Sequence, residues 1–397
     1  MSRADLERIW RAGVEACLPA RVVPPHLPAP PKERTIALAV GKAAAGMAEA
    51  LEAHWPGPLE GLAVAPHDTP ASLERIALVH AAHPLPDEAS VAAAERLLAL
   101  ARQAGPDDLV LVLLSGGASA LACAPGGGLS LTEKRRVTEA LLRAGANIVE
   151  INRVRRLLSR IKGGRLGAAA APARLVTLAI SDVAGNLPRE IGSGPTMPDL
   201  TGEAEARAVL ERYAIEAPAA GWSETAFDVP GEFLVVASGW TAMHAAAEEA
   251  ERLGYEPVLL GEYDIEARDA AALHAHFWRE ASGRKALISG GELTVKVTGD
   301  GTGGPNREFA LACAIALAGS RMEGLAADSD GIDGSGSAAG AFFDGSTLAR
   351  SPRDAEAALA ANDSGGFFAA LGDAFVTGPT GTNVNDLRVM LVNGDSY

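Results

Sequence analysis

Hydrophobic positions along the chain follow two alternating patterns. Short unbroken apolar runs at 35–40, 62–65, 76–80, 109–114 and 175–180 have the length and make-up of strands buried on both faces. Between them lie alanine-rich stretches with apolar residues at helical spacing, over 91–104, 133–146 and 150–161. Ser130, Leu131, Thr132 and Glu133 read as a capping box opening the second of these helices. Buried strands alternating with helices predict an α/β fold around a mostly parallel sheet. Such sheets take ligands beyond the carboxyl ends of their strands.

At 217–231 the pattern lapses into APAAGWSETAFDVPG, which reads as a linker, and a second round follows. It predicts strands at 233–237, 257–260 and 286–289, and helices at 242–253, 268–282 and 306–318. Residues 292–297 alternate polar and apolar as in a half-exposed strand. The chain therefore reads as two α/β domains, an N-terminal Rossmann-like one over 1–230 and a C-terminal one over 231–397. The first opens on a helix marked by Leu6, Ile9, Trp10, Val14 and Cys17, closed by the proline-rich stretch from Val23 to Pro31.

Charge narrows the partners. With 35 basic and 50 acidic residues the net charge is −15, so nucleic acid and anionic membranes are poor partners, while a small anion at a local basic site is compatible. Cys17, Cys123 and Cys313 lie far apart with no C-x-x-C spacing, which writes neither a disulfide framework nor a zinc site. No apolar run approaches ~20 residues and the N-terminus lacks a signal-peptide core, so a cytoplasmic protein is expected.

The candidate chemistry sits in loops that follow strands. Leu109 to Leu114 breaks into Ser115-Gly116-Gly117-Ala118-Ser119, for which three readings compete: a nucleophile turn, a phosphate cradle or a plain corner. A nucleophile elbow needs G-x-S-x-G with a histidine and an acid. The run here is G-G-A-S-A, and among the eight histidines only His83, before Pro84, merits inspection. A cradle asks only for glycines exposing successive amides at a helix start, which this loop supplies. Gly41-Lys42 places a lysine at another strand's carboxyl end, where it can pair with phosphate or carboxylate. Asp182, Glu292, Glu308, Asp328, Asp330 and Asp333 gather in such loops, and as a group they suit a Mg-nucleotide site. In the basic stretch from Asn152 to Arg165, Arg155 or Lys162 beside Gly163 can reach an anionic ligand; a solvated helix face is the bland alternative. Gly299 to Gly304 matches G-x-G-x-x-G, but Thr294 and Lys296 precede it where a dinucleotide fold needs a buried parallel strand.

Several motifs together resemble one family. Val40-Gly41-Lys42-Ala43-Ala44, the Ser115 to Ser119 loop, Ile161 to Leu166, Ser181-Asp182-Val183, Gly192 to Thr196, Gly303-Gly304-Pro305-Asn306-Arg307-Glu308 and Gly378 to Asp386 are similar, in order, to the class II glycerate kinases, glycerate 2-kinases with a C-terminal MOFRL domain. The resemblance implies transfer of phosphate from ATP, with Mg2+, to D-glycerate, usually giving 2-phosphoglycerate, in a cleft between two α/β domains. It implies active-site roles for Lys42 and for Arg307, with Arg388 the other match for that arginine.

On this reading Ser115, Gly116, Gly117, Ala118, Ser119, Arg155, Lys162 and Gly163 hold phosphate or the glycerate carboxylate. Gly303, Gly304, Asn306, Glu308, Thr380 and Asn383 complete the binding site, and Asp182 and Asp330 hold Mg2+ or orient the attacking hydroxyl. Asn186 stands where the family pattern has an aspartate, which removes one metal ligand. Ser329 replaces a threonine, and Leu293 another. The partners implied are D-glycerate and ATP, in a monomer or homodimer. Because relatives also carry the label hydroxypyruvate reductase, an NAD(P)H-dependent reductase using Gly299 to Gly304 is the alternative.

Overall fold

The five apolar runs of the first half, with a sixth at its end, form one sheet. A computed structural model describes residues 3–67, 69–224 and 228–393. The chain opens with helices α1 (Arg3–Ala16) and α2 (Pro19–Val22). It continues through β1 (Thr35–Val40), α3 (Ala44–His54), β2 (Leu59–Pro66), β3 (Ile76–Ala81), α4 (Glu88–Ala101), β4 (Leu109–Leu114) and α5 (Ala118–Leu121). Then come α6 (Leu131–Arg143), α7 (Ile148–Leu157), α8 (Arg165–Ala169), β5 (Arg174–Ile180), α9 (Glu203–Arg212) and β6 (Glu232–Ala237).

Strand order in this sheet is β3-β2-β1-β4-β5-β6, with the first five parallel. Every residue of β1 and β4 is buried, as both faces are covered. Ile36, Leu38, Val40, Val110, Val112 and Leu114 share one core with Leu97 and Leu98 of α4 and Leu166 of α8. Helices α6, α7 and α9 close a second core around Val137, Leu141, Val154 and Val209. The chain runs outward from β1 to β3, then returns to β4 on the other side of β1. That reversal opens a crevice at the paired ends Val40 and Leu114.

The second sheet follows from α10 (Gly239–Arg252), β7 (Glu256–Glu262), α11 (Ala267–Glu280), β8 (Arg284–Gly290), α12 (Pro305–Ala316), β9 (Glu323–Asp328) and β10 (Gly340–Asp344). It ends with α13 (Thr347–Arg350), α14 (Ala355–Ala360), α15 (Ser364–Leu371), β11 (Ala374–Phe375) and β12 (Asp386–Asn393). Its order is β11-β10-β9-β12-β8-β7; β7 and β8 are parallel, and the other pairs antiparallel. Because β12 runs antiparallel between β8 and β9, its first residue, Asp386, pairs with Asp328 at the end of β9. The loops after β8 and β9 and the loop before β12 therefore meet at one edge.

The compact units are Val22–Val236, and the residues up to Arg21 together with those from Ala237 onward. Two expectations are corrected. Strand β6, assigned to the second domain, hydrogen-bonds the edge of β5, which carries the first unit past 230 to Val236. Residues 1–21, assigned to the first domain, pack in the second unit: α1 buries Leu6, Ile9, Trp10 and Val14, and Trp10 Nε1 donates to the Ala327 carbonyl at 3.4 Å. Residues 292–297 form no strand. The Leu293 amide donates to Asp386 Oδ2 at 3.1 Å instead, leaving a single bridge from Thr294 to Glu266. The helix expected over 150–161 stops at Leu157, before residue 159 bridges to Pro125. Among the described residues no helix is long and apolar enough to cross a membrane.

Candidate active site

Beyond β1 and β4 two loops are stitched together by backbone. The Lys42 amide donates to the Gly116 carbonyl at 2.8 Å, and Ser115 Oγ accepts from the Ala43 amide at 3.0 Å. Gly41, at φ 136°, lies so close to Ser115 that a Cβ would stand 2.1 Å from its Oγ. Ser115 is thus a fully buried fastener between the two loops, and no nucleophile.

The two glycines that break the strand are explained by what faces them. A Cβ at Gly116 would stand 2.0 Å from Asp182 Oδ2, and one at Gly117 would stand 3.1 Å from His83 Nε2 and 3.3 Å from Lys42 Cγ. Gly117 also takes φ 81°, a left-handed conformation that opens the short helix α5. Lys42, His83 and Asp182, carried on the loops after β1, β3 and β5, therefore converge on one glycine corner after β4. A cation, an imidazole and a carboxylate around a glycine corner without side chains can bind an anion, orient a hydroxyl and accept a proton.

Behind the corner runs a chain of side chains. Lys162 Nζ donates to the Ser119 carbonyl at 3.1 Å and to Ser119 Oγ at 2.8 Å; Ser119 Oγ lies 2.8 Å from Ser193 Oγ, which reaches Asn152 Oδ1 at 3.5 Å. Ser193 is buried with φ 62°, unfavourable for a non-glycine residue, and is held there by the surrounding turn. Burial holds the Lys162 ammonium well below the ordinary lysine range, and neighbouring cations add to the effect. Arg156 is committed to Glu190 and Asp199, with Nε 2.9 Å from Asp199 Oδ2. Arg155, by contrast, forms no ion pair among the described residues.

Lys134 is the residue sequence reasoning missed. It shares the buried face of α6 with Val137 and Leu141, and its Nζ is buried without a hydrogen-bond partner. Burial pushes its pKa down to about 8. The signal was its spacing, three and seven residues before core positions, where a solvated lysine has no place.

The calls in the second unit resolve differently. Asp333 accepts from the Asn306 amide at 2.9 Å and the Arg307 amide at 3.1 Å, filling the start of α12 where an anion was expected. Its carboxylate also pairs with Arg307 Nε at 2.9 Å. Arg307 Nη2 donates to the Asp333 and Ser335 carbonyls, which leaves Nη1 as the uncommitted nitrogen. Gly304 packs on Asp333, Gly303 exchanges hydrogen bonds with Ser335, and Asn306 Nδ2 donates to Asp386. Glu308 is buried and accepts from Arg268 at 2.7 Å and Asn362 at 3.2 Å. Gly303, Gly304, Asn306 and Glu308 therefore each have protein partners in this structure. The G-x-G-x-x-G reading falls, since Gly299 and Gly301 press on Ala361 and Asp363 and no strand leads in.

Arg388 is fully buried between Asp386, at 2.9 Å, Ser289 and the Gly290 carbonyl, which rules it out as a ligand contact. Asp330 Oδ1 accepts from the Ile332 amide at 2.9 Å in its own turn. Thr380 and Asn383 tie the loop before β12: the Thr380 amide donates to the Asp330 carbonyl at 3.1 Å, and Asn383 Oδ1 accepts from the Asn385 amide at 3.0 Å. Among the described residues no group of three or more His, Cys, Asp or Glu is arranged to hold a metal ion.

Residues 5–224 match a family model described as a domain of unknown function (DUF4147), and residues 285–386 match the MOFRL family. The chain is similar to a protein of Agrobacterium vitis provisionally named hydroxypyruvate reductase, at 43% identity over 98% of this chain and 94% of that protein. It is similar to the D-glycerate 2-kinase of Thermotoga maritima, at 38% identity over 97% of each chain. A crystal structure of glycerate kinase from Thermotoga maritima superposes with a TM-score of 0.90 at 36% identity, covering 98% of this chain and 99% of that one.

Proposed function

We propose a function from one premise: the chain belongs to the class II glycerate kinases, glycerate 2-kinases carrying a MOFRL domain. It transfers the γ-phosphate of ATP to D-glycerate and gives 2-phosphoglycerate. The observation that carries this reading is the convergence of Lys42 and Asp182 on the Gly116-Gly117 corner at the sheet's switch point.

Phosphoryl transfer needs positioning and charge neutralisation more than covalent chemistry. Lys42 neutralises charge on the transferring group, and the close backbone of Gly116 and Gly117 lets that group approach without side-chain interference. Asp182, facing Gly116, is the carboxylate that would orient the attacking hydroxyl, directly or through the Mg2+ it holds. Arg307 keeps one uncommitted nitrogen and is the charge-bearing candidate of the second unit.

Mg2+ fits this donor set. An ion held by one carboxylate, with phosphate and water completing its shell, needs no three-residue cluster, and Asp182 is that carboxylate. When bound, it draws negative charge from the phosphates and lowers the barrier to in-line attack.

Purified protein with Mg-ATP and D-glycerate is expected to release ADP in proportion to glycerate, with phosphorus NMR placing the phosphate on the 2-hydroxyl. No glycerate-dependent ADP above background overturns the reading. The reductase alternative has lost its glycine cradle to Ala361, Asp363 and Asp333, so NADH is expected to persist with hydroxypyruvate.

A further inference from the structure

A lysine whose ammonium is buried and unpaired demands an explanation, because an uncompensated interior charge costs several kcal/mol. Lys134 Nζ is such a group. It does not stand alone: Arg155 and Lys162 are near enough for their charges to act on it or on each other, and Arg155 has no carboxylate partner among the described residues. Among the described residues Lys162 Nζ reaches only neutral oxygens, those of Ser119. Around these three cations the nearby group of acidic character is the Cys123 thiol, itself buried. Three cations from α6, α7 and the turn after it thus lie within electrostatic reach of one another, and none of the three is paired with a carboxylate among the described residues.

The folded chain gains nothing from this arrangement by itself. Lys134 occupies a core position of α6, where methionine or leucine would pack without desolvating a charge. Arg156, one residue along from Arg155, shows the contrast, since it is fully paired with Glu190 and Asp199. Lys162 links the region to the glycine corner, because the Ser119 it binds ends the Ser115 to Ser119 loop.

We propose that Lys134, Arg155 and Lys162 form a closed receptor for one compact oxyanion, either the carboxylate of the glycerate or a single phosphoryl group. The enclosure favours a small planar or tetrahedral anion over a whole triphosphate, for Lys134 and Lys162 are almost without solvent exposure. The identity of the anion as a substrate group rests on the glycerate kinase reading; the receptor itself does not. Arg155 supplies the planar fork that suits a carboxylate, and the two ammonium groups act as point charges on either side.

The test is calorimetric titration of the full chain and of Lys134→Met with D-glycerate and, separately, with inorganic phosphate, both without ATP, beside steady-state kinetics. Wild type is expected to bind D-glycerate, and Lys134→Met to weaken it about 30-fold. The KM for D-glycerate rises to match, while the KM for ATP stays within about twofold. Loss confined to phosphate, with a raised KM for ATP, also supports the receptor and identifies its occupant as a phosphoryl group. Arg155→Gln, at a half-buried position, repeats the measurement should Lys134→Met fold poorly. If wild type binds neither anion, or both variants bind both anions within threefold of wild type, the receptor is overturned. Anion binding that depends on Lys134 in a protein releasing no ADP upholds the receptor and removes the kinase.

Discussion

Lys42 is oriented from its root. Its amide is tied to the Gly116 carbonyl and its Cγ lies beside Gly117, so the root of the side chain is fixed by the corner it serves. Lys42→Ala is expected to lower turnover at least ~100-fold, the usual loss on removing one preorganised charge. Activity within threefold of wild type would take Lys42 out of the site. Lys134 predicts something different, a gain. Its folded pKa of about 8 lies below the ordinary 10.5, so the unfolded chain holds the proton more tightly across that interval. The burden on the fold is full below pH 8, is relieved as pH climbs from 8 towards 10.5, and is on the order of 3 kcal/mol. Lys134→Met is therefore expected to be more stable than wild type to urea at pH 7, by an amount that shrinks by pH 9.5. An advantage independent of pH between 7 and 9.5 would mean that burial does not lower the lysine's pKa in the folded protein.

At the scale of elements, two strands were legible to the residue and the other expected ones, 292–297 excepted, to within a few residues. Both β1 and β4 begin and end where their runs of buried side chains do, because a strand covered on both faces is built almost wholly from apolar residues. Lys42, Asp182 and the Ser115 to Ser119 loop could be placed from sequence for the same reason, as each follows such a run. The failures have one physical source, polar partners distant along the chain. Residues 292–297 alternate as a strand does, but Asp386, more than 90 residues away, captures the Leu293 amide. The start of α12 looked ready for an anion, and nothing near it in sequence reveals that Asp333 already supplies one. Asp333→Ala is expected to cost about 3–5 kcal/mol in denaturant unfolding, since it leaves Arg307 buried without its partner. A loss below 1 kcal/mol would mean that Arg307 finds another acceptor, and would reopen that helix end to ligands.

For the molecule as a whole, the unit to which α1 belongs was the least legible feature. An amphipathic stripe says that a helix is covered, not by what, and its neighbours in sequence were the natural guess. The structure gives Trp10 a place under the second sheet, edge-on to Phe375 with ring centroids 5.1 Å apart. Trp10→Ala is expected to cost about 3–5 kcal/mol. The loss belongs to the unit that holds the helix. Hydrogen exchange is then expected to quicken in β9, β10 and β12 while the amides of β1 and β4 keep their protection. Equal quickening in both sheets would show that the two units unfold as one.

That placement of α1 also bears on how the chain is made. The helix leaves the ribosome before its partners, which emerge only after about 215 further residues, Val22–Val236, have been synthesised. At roughly 5–20 residues per second this interval lasts ~10–40 s. Throughout it the apolar stripe of Leu6, Ile9, Trp10 and Val14 has no native cover, and by its end the intervening unit has all of its own chain in which to fold. The order of maturation is thereby set: the glycine corner can form on the nascent chain, and the second unit is completed only when the helix made before the first unit meets the strands made after it.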